Sequence, residues 1–289
     1  MSVGRIIVPI SGPRLLESKL DHALALAKRF RSQIDVLFLY GSVDPRNIEK
    51  NPFLGEAAWE MAEIKWSQEE SAQMDVQTRL DRWSRERVVP YREAVTSGAG
   101  PHLRFQEIRS DYTRALEEHG RTSDLIVIGQ PGRDMVVMEI EINKLSVMAS
   151  GRPVLIVPNE PRPAEHILTH MLVAWDGGSQ ASRTVGLAMP ILEDAQQVTV
   201  YTSGDPEEAR SRHELVRPYF VCNGIMAKFV IEDHASRRIG RALLEAADRN
   251  GATLICMGAY ENPRVMELVI GGNTRHVYSW SRVPVLLSF

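Results

Sequence analysis

Residues 257–277, MGAYENPRVMELVIGGNTRHV, combine the residue types that hold a phosphate through backbone amides and hydroxyls. The segment begins as the end of an apolar strand, turns polar and glycine-punctuated, and after Gly271 and Gly272 reads as the first turn of a helix. Gly258 lets backbone approach a ligand closely, Gly271 and Gly272 leave amides clear of any Cβ, and Asn273 or Thr274 can cap a helix whose N-terminal dipole favours anions. Glu261 opposes that chemistry. A carboxylate about 5 Å from a phosphate charge costs on the order of 3 kcal/mol at an effective dielectric near 20. Relief comes from an outward side chain, a shared magnesium ion, or neutralisation by Arg264 or Arg275. A glycine pair before a helix is also an ordinary turn, so the loop alone leaves both readings open.

Other constellations carry less. His166 and His170 stand four apart, a metal-ligand spacing on a helix, but Pro161 and Pro163 precede them and an apolar strand follows at Met171. Glu232, Asp233 and His234 read as a solvated strand exit with a capping aspartate, and Tyr260 as packing or a base-stacking ring. Cys222 and Cys256 are far apart and lack CxxC spacing, so neither a disulfide framework nor structural zinc is indicated; Cys256 reads as a small buried hydrophobe. The sequence has no P-loop, no G-x-S-x-G elbow and no G-x-G-x-x-G after a first strand.

The elements that must position this loop occur twice. RIIVPISG near Arg5 matches HMLVAWDGG at His170; SQIDVLFLY matches AQQVTVYTS; SDLIVIGQPG matches ATLICMGAYE; GRPVLIVP matches SRVPVLLSF. These β-branched runs without alternation predict strands buried on both faces, and the segments between them show helical spacing. Leu20, Ala23, Leu24, Ala27 and Phe30 make one such face, and Val185, Leu187, Ala188, Ile191 and Leu192 its counterpart. Further helices are predicted over 68–87, 112–119, 206–219 and 239–250, with strands over 102–108 and 227–231. Each half is therefore an α/β unit, a doubly wound five-stranded parallel sheet, with ligands expected outside the carboxyl ends of its strands.

The proline-rich stretch 159–166 separates a first domain, 1–160, from a second, 166–289. Residues 41–61 lack an equivalent in the second half and read as a lid, a partner surface or a cover packing its aromatics on the sheet. A net charge of -3 gives no footprint for nucleic acid, no basic block suggests a membrane surface, and the apolar start is too short for a signal segment. A cytoplasmic protein with no nucleic-acid and no membrane partner is expected.

With the strands placed, the second half resembles the universal stress protein family, and the whole chain resembles its tandem two-domain form, with an adenine nucleotide alpha hydrolase-like fold. LICMGAY, ELVIGGNTRHV and VPVLL stand at the family's spacing. The nucleotide-binding branch places G-x-x-G, nine residues and G-[ST] after the fourth strand, and an aspartate at the end of the first. Asp176 matches that aspartate, Gly258 the first glycine and Gly271 the last; Gly272 replaces the usual serine or threonine, Thr274 matches a common threonine, and Glu261 falls on the second glycine.

The resemblance implies an adenine nucleotide (ATP, ADP or AMP) in the second half, its base near the backbone of Thr199, Val200 and Tyr201, with Asp176 facing the ribose or a phosphate-bound magnesium ion. The first half departs further. It keeps Gly129 and Gly132, but residues 140–143 replace the second glycine pair, Ser11 replaces the aspartate and Pro131 removes an amide donor. No nucleotide is expected there. The family's last strand pairs across a dimer, so the two halves are expected to pair within the chain as a pseudo-dimer, and chains to associate further. The leading expectation is a stress-response regulator that binds nucleotide without significant turnover and is read by a protein partner. The alternative is a scaffold that binds no nucleotide and works through apolar sheet edges at PVLIV and PVLLSF. A weak ATPase is a third reading; it requires magnesium-dependent phosphate release that disappears in Asp176→Ala.

Overall fold

The computed structural model describes residues 3–42, 45, 56–93, 100–109, 111–132, 134–160, 163–233, 239–259 and 272–289. Strands β1 (Arg5–Ile10), β2 (Gln33–Leu39), β3 (His102–Ile108), β4 (Leu125–Gly129) and β5 (Val154–Val157) belong to the first half; β6 (His170–Ala174), β7 (Gln197–Ser203), β8 (Lys228–Glu232), β9 (Leu254–Gly258) and β10 (Val285–Ser288) belong to the second. All ten form one sheet in the order β3-β2-β1-β4-β5-β10-β9-β6-β7-β8. Pairing within each half is parallel, because the intervening helices return every strand in the same direction.

At the centre β5 and β10 run antiparallel, with Leu155 opposite Leu286 and both fully buried. The apolar runs at Pro153 and Pro284 are therefore not exposed edges, contrary to the scaffold reading of the sequence. Runs apolar on both faces need a covered strand on each side, and each half supplies the other's. The antiparallel junction also sets the carboxyl ends of the two halves at opposite ends of the sheet.

Helices α1 (Leu16–Phe30), α2 (Glu56–Arg87), α5 (Ser179–Glu193) and α6 (Pro206–Cys222) pack on one face; α3 (Tyr112–Arg121), α4 (Val137–Ala149), α7 (Ile239–Arg249) and α8 (Gly272–Trp280) pack on the other. Local chemistry fixes several starts. Asp205 accepts hydrogen bonds from the Glu207 and Glu208 amides (2.9 and 3.0 Å) ahead of Pro206, and Asp111 does the same for Thr113 and Arg114.

Helix α2 begins at Glu56, not at residue 68. Residues 56–67 contain helix formers without glycine or proline, but only Ala62 among them is buried, so they lack the apolar stripe from which helices are read. Of the unmatched 41–61 segment, residues 43–44 and 46–55 lie outside the described residues. Beyond the segment, Trp66 of α2 stacks on Tyr40 at 5.3 Å, and Glu69 accepts from the Gly41 and Ser42 amides.

Candidate functional site

The carboxyl ends of β6, β7 and β9 place Asp176, Ser203 and Gly258 around one mouth. Asp176 is exposed, and its Oδ1 accepts the Gly178 amide at 2.7 Å, a turn that starts α5. Gly177 has φ +79, and the Arg212 side chain of α6 lies 3.5 Å from where its Cβ would stand, so this cation overlooks the aspartate's own turn. Thr202 donates to the Trp175 carbonyl (2.6 Å) and contacts the buried His213 at 2.8 Å, which locks the β6 and β7 exits together. Burial, then Arg217, holds His213 below the ordinary histidine range, so the ring is neutral at pH 7.

Gly258 serves a different neighbour from the one the motif suggests. A Cβ there would stand 2.7 Å from the Ala181 nitrogen and 2.8 Å from the Gln180 carbonyl carbon. The close approach is therefore to the first turn of α5. Gly258→Ala should cost about 1–2 kcal/mol through overpacking against backbone; a urea titration that shows no loss would refute that role.

Thr199 and Val200 lie mid-strand, paired with β6 on one side and β8 on the other, and the Thr199 hydroxyl is held by His170 Nε2 at 2.8 Å. Their backbone groups belong to the ladder, which places the free end of β7 two or more residues later, at Thr202 to Gly204. Helix α8 starts at Gly272, so Asn273 and Thr274 sit inside its first turn and do not cap it; Thr274 is buried. Of Gly272 and Asn273 only the helical backbone is described. Tyr260, Glu261, Arg264 and Gly271 lie outside the described residues, and Arg275 is exposed.

Three side-chain atoms near these strand exits are buried without a hydrogen-bond partner among the described residues: Trp175 Nε1, Gln180 Oε1 and Ser203 Oγ. Native proteins rarely leave such groups unpaired, so their partners are water, a ligand or residues outside the described ones. Sequence reasoning missed these residues and Arg212. Only Trp175 and Ser203 carried a signal, as the residues that follow or end predicted strands.

The first half fills its corresponding mouth with its own side chain. Arg14 donates to the Gln130 carbonyl (2.9 Å), to Asn159 Oδ1 (2.5 Å) and to Asp134 Oδ1 (3.3 Å). A Cβ on Gly132 would stand 2.4 Å from its guanidinium. The glycines that could admit a phosphate admit Arg14 instead. Residues 140–143 lie inside α4, where Asn143 donates to the Gly129 carbonyl at 2.8 Å.

The remaining constellations do not assemble. His166 is exposed in the turn Ala164–His166, whereas His170 is buried against Thr199. No group of three metal-ligating side chains occurs among the described residues. Glu232 is held by Arg249 (2.6 Å) and Tyr201 (3.2 Å), and His234 lies outside the described residues. Cys256 is buried, which pushes its thiol up to about 12. A cleft of about 250 Å³ lies at the amino ends of the second-half strands, lined by His22, His166, Thr169 and Thr253, away from the candidate mouth. No helix of the described residues is long and apolar enough to cross a membrane.

No protein-family model matches the chain, and no curated protein matches it. Solved structures do. A universal stress protein from Archaeoglobus fulgidus DSM 4304 superposes with a TM-score of 0.64 at 16% identity, covering 100% of this chain and 99% of that one. A functionally unknown protein from Pseudomonas aeruginosa PAO1 gives 0.58 at 14% identity over 99% and 92%. The cytoplasmic domain of a prokaryotic cation chloride cotransporter gives 0.55 at 13% identity over 99% and 95%. The chain therefore has the α/β fold of a tandem universal stress protein along its full length.

Proposed function

We propose that this chain is a stress-response regulator whose second half binds an adenine nucleotide without significant turnover, while its first half serves as a structural partner. The carrying observation is the asymmetry of the two mouths. Arg14 fills one, whereas at the other Asp176 stands exposed, with Arg212 lying against the neighbouring Gly177. Ligands of doubly wound sheets bind at this end, and the start of α8 adds a dipole that favours phosphate.

The donor set fits a magnesium nucleotide. Asp176 spends one oxygen on the Gly178 amide, and its other carboxylate oxygen suits a hard cation arriving with the phosphates. Magnesium would supply charge neutralisation there; Asp176 would orient it, and the unpartnered Trp175 and Ser203 groups would gain hydrogen-bond partners. The hydroxyl and imidazole pairs near these strands, Thr202 with His213 and Thr199 with His170, are buried, which supports binding over hydrolysis. Ligand would then act by favouring one arrangement of the 258–274 loop, which a protein partner reads.

Calorimetry of nucleotide-stripped protein with ATP and magnesium tests this. One molecule per chain is expected, with binding abolished in Gly271→Leu and the fold retained. Two molecules per chain would refute the filled first mouth, and unchanged affinity in the variant would refute the assigned loop.

A further inference from the structure

The ten-stranded sheet ends in β3 on one side and β8 on the other. The β3 edge is covered at its start by its own chain: Arg92 N–H donates to the Leu103 carbonyl, Leu103 N–H donates to the Pro90 carbonyl, both at 2.9 Å, and Tyr91 bridges Leu103 in parallel. Among the described residues β8 has no strand partner except β7. The Gly204 amide donates to the Glu232 carbonyl at 3.1 Å, so Glu232 turns its backbone groups towards β7. Strand alternation gives Lys228 and Val230 the same direction and points the N–H and C=O groups of Phe229 and Ile231 to the open side. Such a row of unpaired groups is a template for another strand.

We propose that β8 is a self-pairing edge, where a second copy of this chain adds antiparallel about a two-fold axis through Val230. Hydrogen-bond register and charge select this arrangement independently. Only outward-facing residues can exchange hydrogen bonds, and reversal about Val230 sets Phe229 opposite Ile231 of the second copy, and Ile231 opposite its Phe229. Four backbone bonds result, and none is taken from β7. The strand reads KFVIE, so the same register sets Lys228 opposite Glu232 at both ends.

A parallel arrangement in register would instead set lysine on lysine and glutamate on glutamate, which costs stability. A single lysine on an edge is a common guard against pairing. A lysine with a glutamate four residues later guards against parallel partners and admits the reversed copy. Side chains 228, 230 and 232 share one face, where Lys228 is exposed and only 3.5 Å from Asn250 Oδ1, while Glu232 keeps Arg249 and Tyr201. A two-fold pairing uses the same edge on both copies, so at β8 it closes at a dimer.

Sedimentation equilibrium across a concentration series tests the proposal, beginning with the parent. Its mass should rise from the 32.5 kDa of the chain towards twice that value. Lys228→Glu sets like charges together at both ends and should weaken association by at least about tenfold, a loss of about 1.4 kcal/mol. Ile231→Pro removes an outward-facing donor without touching the β7 ladder and should abolish association, with circular dichroism reporting that the fold is kept. A parent that stays at the mass of one chain overturns the proposal. So does a dimer whose dissociation constant is unchanged in both folded variants.

Discussion

Lys19→Met should stabilise the protein at pH 7 by about 2 kcal/mol, read as a higher urea midpoint with an unchanged slope. Lys19 lies on α1 and is 4% exposed. Its amine has no hydrogen bond or ion pair among the described residues, and burial, opposed by attraction to Glu139 and reinforced by repulsion from Arg14, lowers its pKa to about 8. The gap from the unfolded value near 10.5 corresponds to about 3 kcal/mol of unfavourable charge burial. Glu139 is itself raised, by burial first and despite Lys19, so the two behave as desolvated neighbours and not as a tight ion pair. Removing the amine forfeits that weak attraction, which is why the expected gain is below the full value. Methionine fills nearly the same volume with an unbranched apolar chain.

The pH dependence distinguishes this cause from better packing. Below pH 8 both folded and unfolded chains carry the lysine proton, and the folded state bears the full cost. Between about pH 8 and 10.5 the folded state loses the proton while the unfolded state keeps it, so stability of the parent rises with pH. In Lys19→Met that rise should vanish, and the two stability curves should converge near pH 10.5. A constant separation across the range would assign the gain to packing, and no gain at pH 7 would refute the buried charge.

Lys19 also shows where the sequence was legible and where it was not. The Leu20, Ala23, Leu24, Ala27 stripe identifies the buried face of α1, and the recurring apolar runs identify the strands, because those patterns depend only on neighbours along the chain. Lys19 flanks the stripe and reads as solvated, but α1 packs against elements remote in sequence, the Ala164–His166 turn and β4 among them, and Glu139 of α4 lies near the buried amine. The same limit governs the site. Asp176 is recognisable because a strand exit is a local feature, but Arg14 in a loop gives no sign that it will lie across Gly132. Gly258 announces a close approach without saying whose backbone approaches, and the answer is α5. The β5–β10 pairing required two segments more than a hundred residues apart, and apolar composition alone left them as candidate exposed edges.

If the proposed site holds, Glu261→Gly should tighten binding of magnesium ATP by on the order of a hundredfold, because a carboxylate about 5 Å from a phosphate opposes it by about 3 kcal/mol. The effect depends on what already balances the carboxylate. Arg212, lying against Gly177, is the described cation nearest the aspartate turn, but it donates to Glu208 at 2.9 Å and is partly neutralised there. Arg275 is exposed in the first turn of α8, where the dipole already favours anions. If the parent binds at micromolar concentration and the variant gains little, the carboxylate is shared with magnesium or turned outward, and the nucleotide switch operates in this chain as it stands. If only the variant binds, one charge has closed a mouth that the fold still builds, and Asp176 and the α5 turn persist for structural reasons. Silence in both would remove the nucleotide from the second half and turn attention to the β8 edge as an interaction surface.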